Sequence, residues 1–411
     1  MQLQTHMLFK KDEWRLLWPF YVMYFFLGLS NILDPYIIIY FRELGYSFFQ
    51  IAILTGGFAF GVILFEIPTG IFADLKSRKL SVFIGFTILG SAIILIPFVH
   101  SFILNLVLWF VAGLGVTFIS GADEAWRVDN LKYARRKDLV QESFIKVQVI
   151  AGIGFIIGPL VSIVVVQYYS LKWVWVISGL CVLIGGIFVF FNKEIYTPRK
   201  KQGLSTFSLR KLFITSLKKA SSTFKLFLRK RPLFLILLGG IFTAMMVMTD
   251  NAWQPLLTYL SLPTPYLGLV YAILGVVMIV SAFIPRYLER FNIQTSMSIL
   301  IFVDMIVLLS LLFVAHPFFI FGALIFIAHM AMLRPSYNTI IETYFHKHVP
   351  SSIRATAGSV KNMMLSMAAL LVTLFGGILI DYLGPLKAIV VSAIFGVLAI
   401  ATYLQLKSSN F

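Results

Sequence analysis

Hydrophobic residues occur in runs of about 20 along the whole chain, and short polar segments separate these runs. An α-helix of that length spans the hydrocarbon core of a bilayer. The pattern predicts twelve membrane-spanning helices, at residues 16–40, 48–73, 80–99, 103–131, 140–168, 171–192, 232–260, 265–288, 295–315, 318–345, 353–381 and 386–406. The first run is too long and too rich in aromatic residues for a cleaved signal peptide.

The composition supports a polytopic, all-α membrane protein. Of 411 residues, 59% are hydrophobic and 12% are charged, whereas a soluble domain carries about twice that charged fraction. Cys181 is the only cysteine, which excludes an intramolecular disulfide and argues against a thiol metal site. The chain has no nucleotide-binding Gly-x-x-x-x-Gly-Lys-Ser/Thr motif. We expect no cofactor, no metal and no enzymatic activity.

The distribution of cations predicts the orientation. Of the 34 lysines and arginines, 27 lie at the termini, in the even-numbered loops or at the helix ends beside them, and three lie in the odd-numbered loops or at the helix ends beside those. The positive-inside rule then places both termini in the cytoplasm, in a cell membrane. The formal net charge of +17 therefore indicates contact with a membrane surface rather than with nucleic acid.

The largest loop, residues 193–231, holds twelve of the cations. Within it, residues 204–228 interleave phenylalanine and leucine with lysine and arginine, a pattern typical of an amphipathic helix on an anionic inner leaflet. A partner protein is the alternative ligand for such a helix.

The two halves of the chain resemble each other. Ser30–Pro35 in the first predicted helix matches Asp250–Pro255 in the seventh, and Lys146 in the fifth lies at a depth similar to that of Lys361 in the eleventh. An internal repeat of six helices predicts two pseudo-symmetric bundles with a binding site between them. The expected parts are residues 1–192, the basic linker 193–231 and residues 232–411.

The segment between the second and third predicted helices carries Gly70, Asp74, Arg78 and Lys79 as Gly-x-x-x-Asp-x-x-x-Arg-Lys. This pattern resembles the signature loop of the major facilitator superfamily. That loop usually has a cation after the aspartate and a glycine before the arginine, where this chain has a leucine and a serine. Since Gly70 lacks a side chain, we expect a neighbouring helix to approach it closely.

Further segments carry the same resemblance. Gly154-x-x-x-Gly158-Pro159 is similar to the glycine–proline motif of the superfamily's antiporters, but the pair of glycines that usually follows is missing. These three residues are expected to act in conformational change. Segments similar to those of prokaryotic drug exporters occur at residues 66–70, 121–125 and 354–356.

The resemblance implies a fold of twelve transmembrane helices in two halves, with a central cavity lined by the first, fourth, seventh and tenth. It also implies an ionic network of Asp74, Arg78 and Asp129 at the cytoplasmic mouth, which controls the conformational state. Glu66 precedes Asp74 by about two turns. We assign it to the same network, with the cavity as the alternative.

The fourth predicted helix has the densest set of charges. Arg127 lies four residues after Asp123 and three after Glu124, so it can pair with either acid on one helix face. A self-neutralised cluster is the structural interpretation, but two acids and one arginine leave one carboxylate unpaired. We prefer Glu124 as the unpaired, proton-exchanging acid, because Asp123 is the i,i+4 partner of Arg127.

Charged residues also accompany proline in two symmetric helices. Asp34 directly precedes Pro35, which cannot donate a hydrogen bond to the carbonyl of Asn31. Asp250 and Asn251 take the matching place in the seventh helix. We favour a role for these groups in binding a solute or protons over the alternative that they satisfy freed backbone donors.

The tenth and eleventh predicted helices supply cations. Arg334 lies in the middle of its helix, one turn before Tyr337 and Asn338, and is the best candidate to bind a solute anion or a proton-carrying carboxylate. Lys361 is a second candidate, with snorkelling to the inner surface as the alternative. Asp304, in the ninth helix, receives no role.

The leading functional hypothesis is a secondary active transporter, a monomer that exports an amphipathic organic compound in exchange for protons. A second is an importer or facilitator of an anionic metabolite, held by Arg334, Lys361 and Arg127. A third is a non-transporting membrane sensor or scaffold, which the many charges within the predicted helices argue against.

Overall fold

The structure, a computed structural model, describes residues 10–194, 229–288, 291–349 and 354–406. Its architecture is all-helical, as predicted. Within the described ranges, twelve helical spans are long and apolar enough to cross a membrane. In chain order, α1 to α12 are Glu13–Glu43, Phe48–Leu75, Arg78–Phe98, Phe102–Tyr133, Leu139–Tyr168, Leu171–Phe191, Arg231–Tyr259, Thr264–Leu288, Ile293–Phe313, Phe319–Phe345, Met364–Leu383 and Pro385–Tyr403. The amphipathic helix predicted at residues 204–228 lies outside the described residues.

The chain divides into two compact units. One comprises Met1–Ile37 and Gly57–Gln202, and the other comprises Ile38–Gly56 and Gly203–Phe411. The end of α1 and the start of α2 thus group with the second unit, although the sequence assigns them to the first half.

A side-chain cap explains why the start of α2 groups with the second unit. Asp381, in α11, accepts hydrogen bonds from the backbone N–H groups of Phe48 and Phe49, both at 2.9 Å. The first amides of a helix have no partner inside the helix. The carboxylate therefore satisfies the free N-terminus of α2. Next to it, a Cβ on Gly377 would lie 2.8 Å from the Phe48 carbonyl oxygen, so the two helices are in close contact.

Two spans are interrupted where the sequence places the matching Asp/Asn and Pro segments. In α1, a 3₁₀ segment at Ser30–Tyr36 separates the helices Glu13–Leu29 and Ile37–Glu43. In α7, the helix Arg231–Met246 ends, and a 3₁₀ turn at Asp250–Ala252 precedes the next helical segment. Proline lacks the backbone N–H that a continuous helix requires, so Pro35 accounts for the break in α1.

Two further spans have other kinds of interruption. In α4, Gly121 adopts φ 72°, a conformation that glycine accepts readily, and a new helical segment begins at Ala122. In α10, residues Ala328–Leu333 form a π-helical turn directly before Arg334. Such turns are rare and are found most often at functional sites.

Glycines bring α1 and α5 into close contact. A Cβ on Gly154 would lie 2.4 Å from the Phe25 carbonyl oxygen, and one on Gly158 would lie 2.5 Å from that of Leu29. Gly28, on α1, is equally close to α5. The glycine–proline motif is therefore a helix-packing surface in this structure.

We predict that Gly154→Ala destabilises the protein by about 1–3 kcal/mol, because the methyl group has no space against the α1 backbone. Gly152 lies on the same helix, and a Cβ there would meet nothing within 4 Å. Gly152→Ala should be neutral or stabilising by up to about 1 kcal/mol. Thermal unfolding in detergent, followed by tryptophan fluorescence, measures both variants. Equal melting temperatures for the two would contradict the packing argument.

Candidate functional site

In the first unit, a buried polar cluster joins α1 to α4. Asp123 is 2% exposed, and its Oδ2 accepts a hydrogen bond from the Tyr24 hydroxyl. The Arg127 guanidinium lies over the ring of Phe144 at 4.8 Å and over that of Tyr24 at 5.6 Å. Arg127 is 1% exposed, and its Nε and Nη1 have no hydrogen-bond partner among the described residues.

This arrangement differs from the expected pairing of Asp123 with Arg127, on which the choice between Asp123 and Glu124 was based. The direct hydrogen-bond partner of Asp123 is the tyrosine hydroxyl, not Arg127, whose guanidinium stacks on aromatic rings instead. Glu124 is exposed. The preference for Glu124 over Asp123 rested on an Asp123–Arg127 pair, and the structure removes that reason.

A second charged pair in the first unit joins α1 to α5. Lys146 Nζ lies 2.6 Å and 2.7 Å from the two carboxylate oxygens of Glu13, which is fully buried. The Tyr21 hydroxyl and the backbone N–H of Lys10 also donate to this carboxylate, at 2.7 Å and 2.8 Å. Glu13 thus has its charge compensated and its oxygens hydrogen-bonded, as a buried carboxylate requires.

In the second unit, Arg334 and Asp250 form an ion pair. Arg334 Nη1 lies 2.8 Å from Asp250 Oδ2, and the side chains are 31% and 33% exposed. The symmetric acid of α7 is therefore the partner of the arginine in α10. Tyr337 is buried and its hydroxyl has no hydrogen-bond partner among the described residues, whereas Asn338 is exposed.

Lys361 is also paired within the second unit. Its side chain is buried, and its Nζ contacts Glu342 Oε1 and lies 4.6 Å from the centre of the Phe345 ring. The Lys361 ammonium therefore has a counter-charge within the unit. Glu342, on the same helix as Arg334, is a partner that the sequence analysis did not identify.

The interrupted segment of α1 positions two of the predicted residues. Asn31 is half-buried, and its Nδ2 donates to the carbonyl oxygens of Gly28 at 2.8 Å and Leu27 at 3.2 Å. The Asn31 side chain thus hydrogen-bonds to backbone carbonyls next to the interruption. This is a structural role, the alternative to solute binding. Asp34 is half-buried within the 3₁₀ segment, as is Asn251 at the matching break in α7.

The connection between α2 and α3 contains an ionic network. Arg78 Nη1 contacts Asp129 Oδ2, and its Nη2 lies 3.4 Å from Asp74 Oδ1. The backbone N–H of Arg78 donates to Glu194 Oε1 at 2.6 Å, and the Ser77 hydroxyl donates to the same carboxylate. Arg78 therefore links α2 to α4, and Glu194 fixes the N-terminus of α3.

Two residues assigned near this network have different surroundings. Glu66 is exposed and takes part in none of the ion pairs of the described residues. Eight residues of helix separate it from Asp74, a rise of about 12 Å, so it does not reach Arg78. A Cβ on Gly70 would meet nothing within 4 Å. The close contact comes one residue earlier, where the Thr69 hydroxyl donates to the Thr117 carbonyl at 3.0 Å.

The sequence analysis also missed a buried pair between α9 and α10. His329 Nδ1 lies 2.8 Å from Asp304 Oδ1, and both side chains are buried. The sequence feature that could have indicated this pair is that Asp304 and His329 each lie within an apolar run. In the described part of the chain, no group of three or more histidine, cysteine, aspartate or glutamate side chains is arranged to hold a metal ion.

Comparisons with known proteins identify the class. A family model described as Major Facilitator Superfamily matches residues 20–360. The chain belongs to the major facilitator superfamily, and it is a multi-pass membrane transporter rather than an enzyme.

Individual relatives agree with this family. The chain is 23% identical over 378 residues to an uncharacterized MFS-type transporter, YxaM, of Bacillus subtilis, and the match covers 92% of each protein. The nucleoside transporter NupG has a similar fold, with a TM-score of 0.78, 18% identity, and coverage of 95% of this chain and 98% of that one. A bacterial homologue of the human lysosomal transporter Spinster, inward-facing and unoccupied, has a TM-score of 0.74 and 14% identity. The match covers 96% of this chain and 97% of that one. At these identities the structures show the likeness of fold alone.

We predict that Glu13→Gln costs about 3–5 kcal/mol of unfolding free energy, because it leaves the Lys146 ammonium without its counter-charge. Tyr21→Phe removes only a neutral donor from the same carboxylate and should cost about 0.5–1.5 kcal/mol. Titration with a denaturing detergent measures both. In the double variant Glu13→Gln with Lys146→Met, the loss should be smaller than the sum of the single losses. Strict additivity would contradict the pairing.

Proposed function

We propose that this transporter exports an amphipathic organic compound in exchange for protons, by alternating access. The observation that carries the proposal is the buried Asp123–Tyr24 contact. A buried carboxylate is costly unless its charge is compensated or removed by a proton. The hydrogen-bond partner of Asp123 is a neutral hydroxyl, so its charge is balanced either by a proton or by the nearby Arg127 guanidinium, which lies over the same tyrosine ring.

The hydroxyl partner suits proton exchange. A tyrosine hydroxyl donates to a carboxylate and accepts from a carboxylic acid, so the contact with Asp123 survives in both protonation states. The Arg127 guanidinium lies over the ring of Tyr24, so a positive charge is close to the proposed site of proton exchange. Asp34, in the loosened segment of α1, is the second proposed carrier in this unit.

A second candidate function is uptake or facilitated passage of an anionic solute. The guanidinium of Arg127 favours it, because Nε and Nη1 are buried donors without partners among the described residues. A buried cation in that condition is stabilised by an incoming carboxylate or phosphate. Arg334 and Lys361 support it less, because each is already paired with an acid.

The cellular setting is part of the proposal. The charge asymmetry of the loops supports a cytoplasmic membrane with both termini inside. The cations of residues 193–231 favour contact with anionic lipids of the inner leaflet. A monomer is sufficient, since a superfamily binding site lies between the two halves of one chain.

The Arg78 network is the proposed conformational lock on the cytoplasmic side. It ties α2 to α4 through one guanidinium and two carboxylates, and Arg78 is 12% exposed. Partly buried pairs of this kind are screened less by water than exposed ones. Loss of the network should shift the balance between inward- and outward-facing states.

We predict that Asp123→Asn lowers gradient-driven transport by about 5–150-fold, the range of typical coupling free energies, and leaves solute counterflow intact. Asparagine keeps the size of the side chain but cannot exchange a proton. The assay uses proteoliposomes with and without a pH gradient, with ethidium as the cationic probe and benzoate as the anionic one. Asp34→Asn should behave in the same way.

Glu124→Gln is the matched control, because it neutralises the neighbouring acid that is exposed. It should retain gradient-driven transport. If Asp123→Asn and Asp34→Asn both keep full coupling, the exchange of protons is wrong. Benzoate uptake that is independent of the gradient and lost in Arg127→Met would then favour the second candidate.

We predict that Arg78→Ala accelerates amide hydrogen exchange in residues 74–80 by about 5–30-fold, since the loss of one or two kcal/mol of local stability has that effect. Asp129→Asn should do the same, and both should impair transport. Lys76→Ala removes an exposed cation from the same segment and serves as the control. Unchanged exchange together with unchanged transport in Arg78→Ala would rule out the lock.

A further inference from the structure

We infer that Asp304 and His329 form a proton-binding site in the second unit, separate from the acids of α1 and α4. The pair joins the middle of α9 to α10, with 2.8 Å between Nδ1 and Oδ1. Asp304 is 0% exposed and His329 is 1% exposed. Neither residue belongs to the groups to which proton exchange was assigned above.

The chemistry of the pair allows it to gain and lose a proton without repacking. With Nδ1 as the donor, the hydrogen bond to the carboxylate is present in both the neutral imidazole and the imidazolium. The additional proton is carried on Nε2. The pair therefore alternates between net charges of −1 and zero while the contact that holds α9 against α10 is retained.

The local backbone differs from that of a passive packing site. His329 lies in the π-helical turn Ala328–Leu333, where the regular i→i−4 ladder is interrupted. Its ring stacks on Trp253, with centroids 6.1 Å apart and planes inclined at 29°. Trp253 begins the helical segment that follows the 3₁₀ turn of α7. The histidine thus contacts the irregular part of α7 from the irregular part of α10.

Two buried polar atoms near the pair have unsatisfied hydrogen-bonding capacity. Asp304 Oδ2 and the Tyr337 hydroxyl are buried and have no hydrogen-bond partner among the described residues. Asp304 lies on α9, and Tyr337 lies on α10, the helix that carries His329. A carboxylate with a free buried oxygen is stabilised by a positive charge nearby, which the protonated imidazole provides.

The ionisable groups near the pair come from three helices, α7, α10 and α12. These groups are the Arg334–Asp250 ion pair, which joins α10 to α7, and the buried hydroxyls of Tyr337 and Tyr403. Of these groups, Arg334 is the only cation and Asp250 the only other carboxylate.

The position of Arg334 connects the pair to the rest of the unit. It follows the π-helical turn directly, and its partner Asp250 lies three residues before Trp253, the residue that stacks on His329. The His329 site and the Arg334–Asp250 pair thus adjoin each other along both α10 and α7. The link between a charge gained at His329 and transport rests on the proposed proton exchange, but the binding of the proton does not.

The test is a pH titration of the full-length chain in lipid nanodiscs, with the imidazole nitrogens labelled with ¹⁵N. The His329 signals, one set among six histidines, are identified by their loss in His329→Asn. We expect the nitrogen shifts of His329 to change between pH 5 and pH 9. In Asp304→Asn, where the stabilising negative charge is gone, the midpoint should move to lower pH by about one unit, a tenfold loss of proton affinity.

Asp381→Asn is the matched control, because it neutralises another acid of the same unit that caps α2 and has no contact with His329. It should leave the midpoint unchanged. A single protonation state of His329 across the titration of the wild-type chain would overturn the proposal and identify a purely structural pair. That result needs no variant to fold. An unchanged midpoint in Asp304→Asn would also overturn it.

The titration contains neither solute nor gradient, so its outcome is independent of the exchange mechanism proposed for Asp123. If His329 titrates while Asp123→Asn retains full coupling, the proton site stands and the role of Asp123 fails. If Asp123→Asn loses coupling while His329 keeps one protonation state, the exchange proposal stands and this inference fails.

Discussion

The structure depends on one constraint: a charged side chain inside a bilayer costs about 2.5–3.5 kcal/mol unless a partner compensates it. The described spans meet this cost by pairing charges across neighbouring helices. Glu13 with Lys146 joins α1 to α5, and Arg334 with Asp250 joins α10 to α7. Since each pair needs both helices in place, the interaction that removes the cost also fixes how the helices pack.

Interruptions of the helices determine where these polar groups lie. Pro35 loosens α1 near Asp34, Gly121 interrupts α4 two residues before Asp123, and a π-helical turn precedes Arg334. A regular helix satisfies its own backbone and presents only side chains to its neighbours. The breaks add free backbone groups and reorient the side chains beside them. The proposed functional residues and the irregular backbone therefore lie close together in each unit.

The two units compensate their buried charges in related but different ways. Lys146 and Lys361 occupy matching places, and each is paired with a glutamate, although the partner lies on α1 in one unit and on α10 in the other. In the first unit, the remaining buried carboxylate, Asp123, contacts a hydroxyl. In the second, Asp304 contacts an imidazole. A hydroxyl and an imidazole both keep their contact when a proton is exchanged, which unites the two proposals.

The sequence by itself determined the twelve spans, the superfamily and the symmetric breaks of α1 and α7, because length, hydropathy and proline act locally. It also identified Asp74 and Arg78, because the motif specifies their spacing, and Asp129, because the resemblance to the superfamily implied the network. Only the tertiary structure decided which groups are in contact. Spacing along one helix suggested Arg127 for Asp123, but the hydrogen bond comes from Tyr24, 99 residues away. Partner choice depends on helix rotation and on neighbours distant in sequence, which a hydropathy pattern does not record.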